Sequence, residues 1–361
     1  MRYNIDTLRF ALTVGIVVFH VLVRRQYHWT VWNIDTFKNA SAIVQCFFIL
    51  SGFCYYLSTL RNNARTMQEF VCAKIARLWP MLFAVHLWLW FLHQVNGSQL
   101  IMNSVFLQCV GLTKDFRGMS WFVSPLFWAL IFYHLLFSSI SNSALRNLWI
   151  GILVWLGYVV NISAVGGFAR ETTFGIVPLA FAQAIAGVGI GILVGNAARV
   201  FWADAKTCRA GIVFYGVLEI VFLVMLGINL WYFPWACSSR MVIVVAMVGT
   251  VFLFAGNCGF VSRMLDSKTL SYGGRFGYSI YMVQPVVFWY LDKWHRMYFS
   301  KIFQHDPASE IIQMIVYTTI IVICGIAAYY LIEVPFRSVL DRRCSHLVFF
   351  TKKYNNKKGG L

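Results

Sequence analysis

The stretch Leu8-Arg9-Phe10-Ala11-Leu12-Thr13-Val14-Gly15-Ile16-Val17-Val18-Phe19-His20-Val21-Leu22 decides the fold class. It is an apolar run that carries one arginine near its start and one histidine near its end. About 20 apolar residues cross a hydrocarbon core of about 30 Å as an α-helix, so the run reads as a membrane span. No small-residue cleavage site follows it, and it is expected to stay as the first helix rather than be removed as a signal peptide. Runs of the same kind recur along the chain, and the expected spans are 8–25, 40–60, 77–95, 120–141, 147–164, 174–196, 210–231, 240–258, 276–293 and 310–336. The predicted fold is therefore all-α, a polytopic transmembrane bundle of about ten helices. Composition agrees: 60% of the 361 residues are hydrophobic and 12% charged, against about 25% charged in soluble domains. A soluble globular fold is excluded.

An even number of crossings puts both ends on one side. Lys and Arg are in excess on that side, with the tail from Arg337 to Lys358 contributing most, so both termini are expected in the cytoplasm. The organisation that follows is one transmembrane domain over residues 1–336 and a basic cytoplasmic tail over 337–361. The segment from Ser98 to Thr113 is apolar but short and polar at both ends, which suits an interfacial or re-entrant piece. Asn96-Gly97-Ser98 just before it reads as an ordinary turn although it satisfies a glycosylation sequon. The net charge of +17 lies largely at helix ends and in the tail, where it serves topology and anionic lipid rather than nucleic acid. Of the nine cysteines, Cys46, Cys54, Cys258 and Cys324 sit in apolar runs as small core residues, and Cys109 and Cys237 fall near the outer side, where they are able to pair. None has metal-ligand spacing, and no metal is expected.

Ionisable groups inside apolar helices mark the chemistry, because each costs several kcal/mol there without a partner or a task. Arg9 and His20 are 11 residues apart, about three helical turns and about 16 Å of rise, and fall on one face of the first helix. A fixed cation can hold phosphate or carboxylate, and an imidazole can take a proton from a hydroxyl nucleophile. Taken singly, each has a structural alternative, Arg9 as a snorkelling anchor and His20 as a buried, hydrogen-bonded histidine. In Cys46-Phe47-Phe48-Ile49-Leu50-Ser51-Gly52-Phe53, the Ser51-Gly52 pair lets another backbone approach closely and offers a hydroxyl, either an acyl carrier or a packing residue. Lys74 and Arg77 share a helical face beside Trp79-Pro80 and suit an anionic group at the cytoplasmic surface, or a topology signal. Glu333 and Arg337 are spaced for a structural ion pair.

Taken in order, Leu8-Arg9 with His20, Phe47 to Phe53, Lys74 to Pro80, Tyr278-Ser279-Ile280-Tyr281 and Ile332-Glu333-Val334-Pro335-Phe336-Arg337 resemble the acyltransferase type 3 family of integral membrane acyltransferases, which modify polysaccharides by O-acetylation. They match its Arg-x10-His, FFxLSGF, RxxRxxP, SYxxY and IExPxR elements along nearly the whole chain. The resemblance implies an O-acetyltransferase of the bacterial inner membrane that moves acetyl from cytoplasmic acetyl-CoA to a hydroxyl of a cell-surface or lipid-linked glycan. His20 would be the catalytic base, and Arg9, Lys74 and Arg77 would bind the donor. Acyl-CoA, a glycan acceptor and membrane lipid are the implied partners. The chain departs from the family at Lys74, where arginine is usual, and at Gln284, where histidine is common. After Trp121-Phe122-Val123-Ser124 it lacks the acidic residue that many relatives carry, so no carboxylate is available there to orient His20. A multi-helix transporter or flippase of glycan or lipid-linked sugar is the alternative, but the paired broken helices or repeated halves it calls for are not evident. A catalytically silent interaction protein is the other, and it would have no reason to keep Arg9 paired with His20.

Overall fold

A computed structural model describes residues 3–25, 42–61, 65–109, 119–166, 173–203, 211–231, 237–299 and 307–343. In chain order the longer helices are α1 (Tyr3–Arg25), α2 (Ile43–Arg61), α3 (Met67–Phe91), then a short α4 (Gly97–Ser104), α5 (Val123–Ser139), α6 (Ser143–Val165) and α7 (Leu179–Phe201). They continue as α8 (Ile212–Trp231), α9 (Cys237–Gly256), two short turns α10 (Phe260–Leu265) and α11 (Lys268–Ser271), α12 (Gly273–Trp294) and α13 (Pro307–Ala328). A two-residue hairpin, Thr173–Phe174 with Val177–Pro178, is the one sheet among the described residues. Among the described residues seven helices are long and apolar enough to cross a membrane, and Val123–Ser139 and Arg240–Gly256 are shorter apolar helices. With α12, each of the ten expected spans overlies one of these helices.

Two local features depart from the sequence reading. The third helix starts ten residues before the expected 77, at Met67, because Thr66 and Glu69 form a capping box that satisfies its first amides. Pro80 lies inside α3, a few residues into the expected span. Glu333 does not turn out toward Arg337. A π-helical turn over Tyr329–Glu333 widens the helix just before Pro335, whose ring would otherwise press on the carbonyl one turn back. That register buries Glu333, which accepts a hydrogen bond from Ser279 Oγ at 2.5 Å, while Arg337 pairs with Asp341 at 3.6 Å.

The segment after Asn96 behaves as a non-crossing piece over its described part. Asn96 caps the eight-residue α4, far too short to span, and Phe106 and Cys109 then take left-handed backbone angles. Residues 110–118, the side chain of Cys237 and residues 344–361, which make up most of the expected tail, lie outside the described residues.

Two seams of small residues set the spacing of the bundle. Where α2 meets α7, a Cβ on Gly52 would strike the backbone of Val188, and one on Gly191 would strike the backbone of Ile49. Gly187, Gly191 and Gly195 recur every four residues and turn one face of α7 into a groove for α2, the small-xxx-small packing of membrane helices. The second seam joins α1 to α12. Gly274 and Gly277 lie against Asp6 and Thr13, and beyond them His20 meets Gln284 and Arg24 pairs with Asp292. Contacts advance in the same direction along both helices, so α1 and α12 run parallel, as their odd-numbered places among the spans require.

Candidate active site

A cavity of about 950 Å³ opens between α1, α2, α3, α5, α6, α7, α12 and the end of α13. Its cationic residues come from the side that an alternating ten-helix path places beside the amino terminus: the first half of α1 and of α3, the start of α6, the ends of α2 and α7, and the segments flanking them. Eight cationic side chains line it, Arg9, Arg61, Arg65, Lys74, Arg77, Arg146, Arg199 and Arg337, and no carboxylate does among the described residues. Such an arrangement repels itself unless anions fill it. An elongated polyanion is the chemical complement, and arginine forks in particular match phosphate oxygens.

Within this cavity the cations are held rather than loose. Arg9 donates to Asp6 Oδ1 at 2.6 Å and to Cys54 Sγ at 3.0 Å. Lys74 Nζ lies 5.1 Å from the centre of the Phe70 ring, and the Arg146 guanidinium 4.3 Å from that of Phe137. Phe70 in turn stacks on His134, centroids 4.1 Å apart and nearly parallel, and His134 Nε2 sits 3.1 Å from the Arg65 carbonyl oxygen. These cation–π contacts fix the charges on an aromatic wall without neutralising them.

Toward mid-membrane the lining changes from charged to aromatic and small: Thr13, Ser51, Phe122, Tyr278 and Tyr281. Tyr278 donates to the Leu78 carbonyl at 2.6 Å and ties α12 to α3. Tyr281 packs edge-on against Phe122 at 4.8 Å on one side and against His20 at 6.1 Å on the other. His20 itself is half-buried, and its Nδ1 lies 2.7 Å from Gln284 Oε1.

The structure therefore places Arg9, Ser51, Lys74 and Arg77 in one cavity wall. His20 stands apart from that wall, one aromatic ring beyond its inner end. Sequence reasoning missed Arg61, Arg65, Arg146, Arg199 and His134, which come from loops and helix ends far apart in the chain. The available signal was their common membrane side, since each basic residue sits at a helix end assigned to the amino-terminal face. Gln284 was visible only as a departure from the family pattern; the structure places its Oε1 against His20 Nδ1. Among the described residues no group of His, Cys, Asp or Glu is arranged to hold a metal ion.

Fold and site together define an integral membrane protein with a cation-lined cavity entered from one face and a histidine beyond its inner end. A family model described as an acyltransferase domain matches residues 2–333, and the chain belongs to that family, the type 3 membrane acyltransferases. Comparison with curated proteins and with solved structures gives no match. The protein is thus an integral membrane acyltransferase.

Proposed function

We propose that the protein is an O-acetyltransferase that takes acetyl from acetyl-CoA and places it on a hydroxyl of a cell-surface or lipid-linked glycan. The observation that carries this reading is the cavity: eight cations, no lining carboxylate among the described residues, and an aromatic lining whose Tyr281 packs against His20. The phosphates of coenzyme A would sit among Lys74, Arg77, Arg9 and the cations of the mouth, with the thioester arm running inward along Ser51 and Tyr281. His20, acting as general base, would take the proton of the acceptor hydroxyl as its oxygen attacks the thioester carbonyl; the C–S bond breaks and coenzyme A leaves as the thiol. Ser51 lies on the donor's path, and its neighbour Gly52 supports a packing role for this pair.

In this reading the cavity faces the cytoplasm of a bacterium, the acceptor approaches from the other side of the inner membrane, residues 1–336 form the catalytic domain, and residues 337–361 form a basic cytoplasmic tail. The test is transfer of labelled acetyl from acetyl-CoA to host glycan in membranes, comparing the native protein with His20→Ala at matched expression. Label that disappears with His20→Ala is the expected result. Label that persists unchanged removes His20 from the mechanism, and no label with either protein turns the reading toward another donor or acceptor.

A further inference from the structure

The stretch from Trp121 to Phe127 carries no acidic residue to orient the base proposed above, and the structure sets an amide against His20. Gln284 is fully buried on α12, and its Oε1 faces His20 Nδ1 at 2.7 Å. We propose that Gln284 is the positioning residue of this enzyme, holding His20 in the tautomer protonated on Nδ1 so that Nε2 carries the lone pair for the acceptor hydroxyl.

The chemistry follows from the amide. A carbonyl oxygen only accepts, so a ring nitrogen at 2.7 Å from it must carry the hydrogen. Neutral imidazole has one N–H, and fixing it on Nδ1 leaves the lone pair on Nε2. Because the amide is uncharged, it orients the ring without the desolvation cost that a buried carboxylate would bring to a membrane interior. The placement is rigid on both sides. Four residues beyond His20 on α1 and eight beyond Gln284 on α12, Arg24 pairs with Asp292 across the same two helices, and on the inner side the Tyr281 ring limits rotation of the imidazole. The glutamine is also satisfied only where it faces the histidine. Its Nε2 has no hydrogen-bond partner among the described residues, which leaves a buried donor for an oxygen that a substrate brings. Reversing the amide would make Nε2 of Gln284 donate to Nδ1, put the ring hydrogen on the far nitrogen and remove the base, so the orientation is a testable commitment.

This inference rests on His20 being the base, and the experiment separates the two. In the full-length protein in lipid nanodiscs, ring ¹⁵N shifts of His20 are assigned by their loss in His20→Ala. Native protein should show Nδ1 protonated and Nε2 unprotonated, and Gln284→Leu, similar in size but without an acceptor, should show a mixture of tautomers. Gln284→Glu should restore the native pattern. In acetyl transfer from labelled acetyl-CoA, Gln284→Leu should lower kcat about tenfold to a hundredfold with KM for acetyl-CoA unchanged, because a mis-set base loses part of the roughly 10²–10⁴-fold contribution of proton transfer. Gln284→Glu should recover most of it. A native His20 protonated on Nε2, or a tautomer indifferent to Gln284→Leu, overturns the proposal whatever the activity. If His20→Ala keeps native activity, the base reading fails while the tautomer result still stands or falls alone.

Discussion

Substituting Gly52 with alanine adds one methyl group, and the structure specifies what it meets. The new Cβ would lie 2.7 Å from the Val188 carbonyl carbon and 2.9 Å from its Cα, with the carbonyl oxygen closer still. Carbon atoms are at their best separation at about 3.5–4.0 Å, so α2 and α7 must move apart. Overpacking costs about 1–3 kcal/mol, and here the obstacle is backbone, which has no rotamer to change, so the upper end applies. The greater helix preference of alanine offsets about 1 kcal/mol of it. The net effect is a loss of about 2 kcal/mol, or roughly a 25-fold fall in the folded-to-unfolded ratio. Gly151 on α6 provides the opposite case, because nothing lies within 4 Å of its added Cβ, and Gly151→Ala should gain up to about 1 kcal/mol. The assay is reversible unfolding in mixed micelles, native protein and both variants side by side. Ser51 and Cys54, flanking Gly52, line the cavity, so acetyl transfer should fall along with stability in Gly52→Ala. Equal unfolding midpoints for the two variants would refute the backbone-contact argument for this seam.

Lys74→Gln and Arg77→Gln should each raise the KM for acetyl-CoA about tenfold to a hundredfold, since a charge-assisted hydrogen bond contributes about 1.5–3 kcal/mol, while kcat changes little; a KM unmoved in both variants would place the donor phosphates elsewhere. Cys54, which lines the cavity and receives the Arg9 hydrogen bond, should react with a maleimide in a variant retaining it as the sole cysteine, and acetyl-CoA, whose sulfur is acylated and does not consume maleimide, should slow that labelling severalfold. Labelling equally fast with and without acetyl-CoA would show that the donor does not occupy this wall.

Much of the fold was legible because a membrane imposes simple rules. Apolar runs of the right length must be helices, and the run from Leu8 to Leu22 already carried that conclusion together with the spacing of Arg9 and His20. Ser51-Gly52 announced a close backbone approach for the same reason, that only the smallest residues permit it. Where the reading slipped, a local signal competed with hydropathy. The polar first turns of α3 hid a helix start that the Thr66-Glu69 capping box marks, and Glu333 matched an i, i+4 pair that the π turn ahead of Pro335 then took out of register.

By itself the sequence determined the class of fold, the places along the chain where its long apolar helices fall, the family and the residue types on which acyl transfer can be built, because length, hydropathy and short motifs are properties of continuous segments. Tertiary structure alone decided that eight cations from loops and helices distant in the chain share one cavity, and that Arg9 belongs to its wall while His20 lies past Tyr281. It also decided that Gln284, 264 residues from His20 in sequence, is the histidine's partner. These are relations between helices, set by the glycine seams that bring α2 to α7 and α1 to α12, and no single segment carries them.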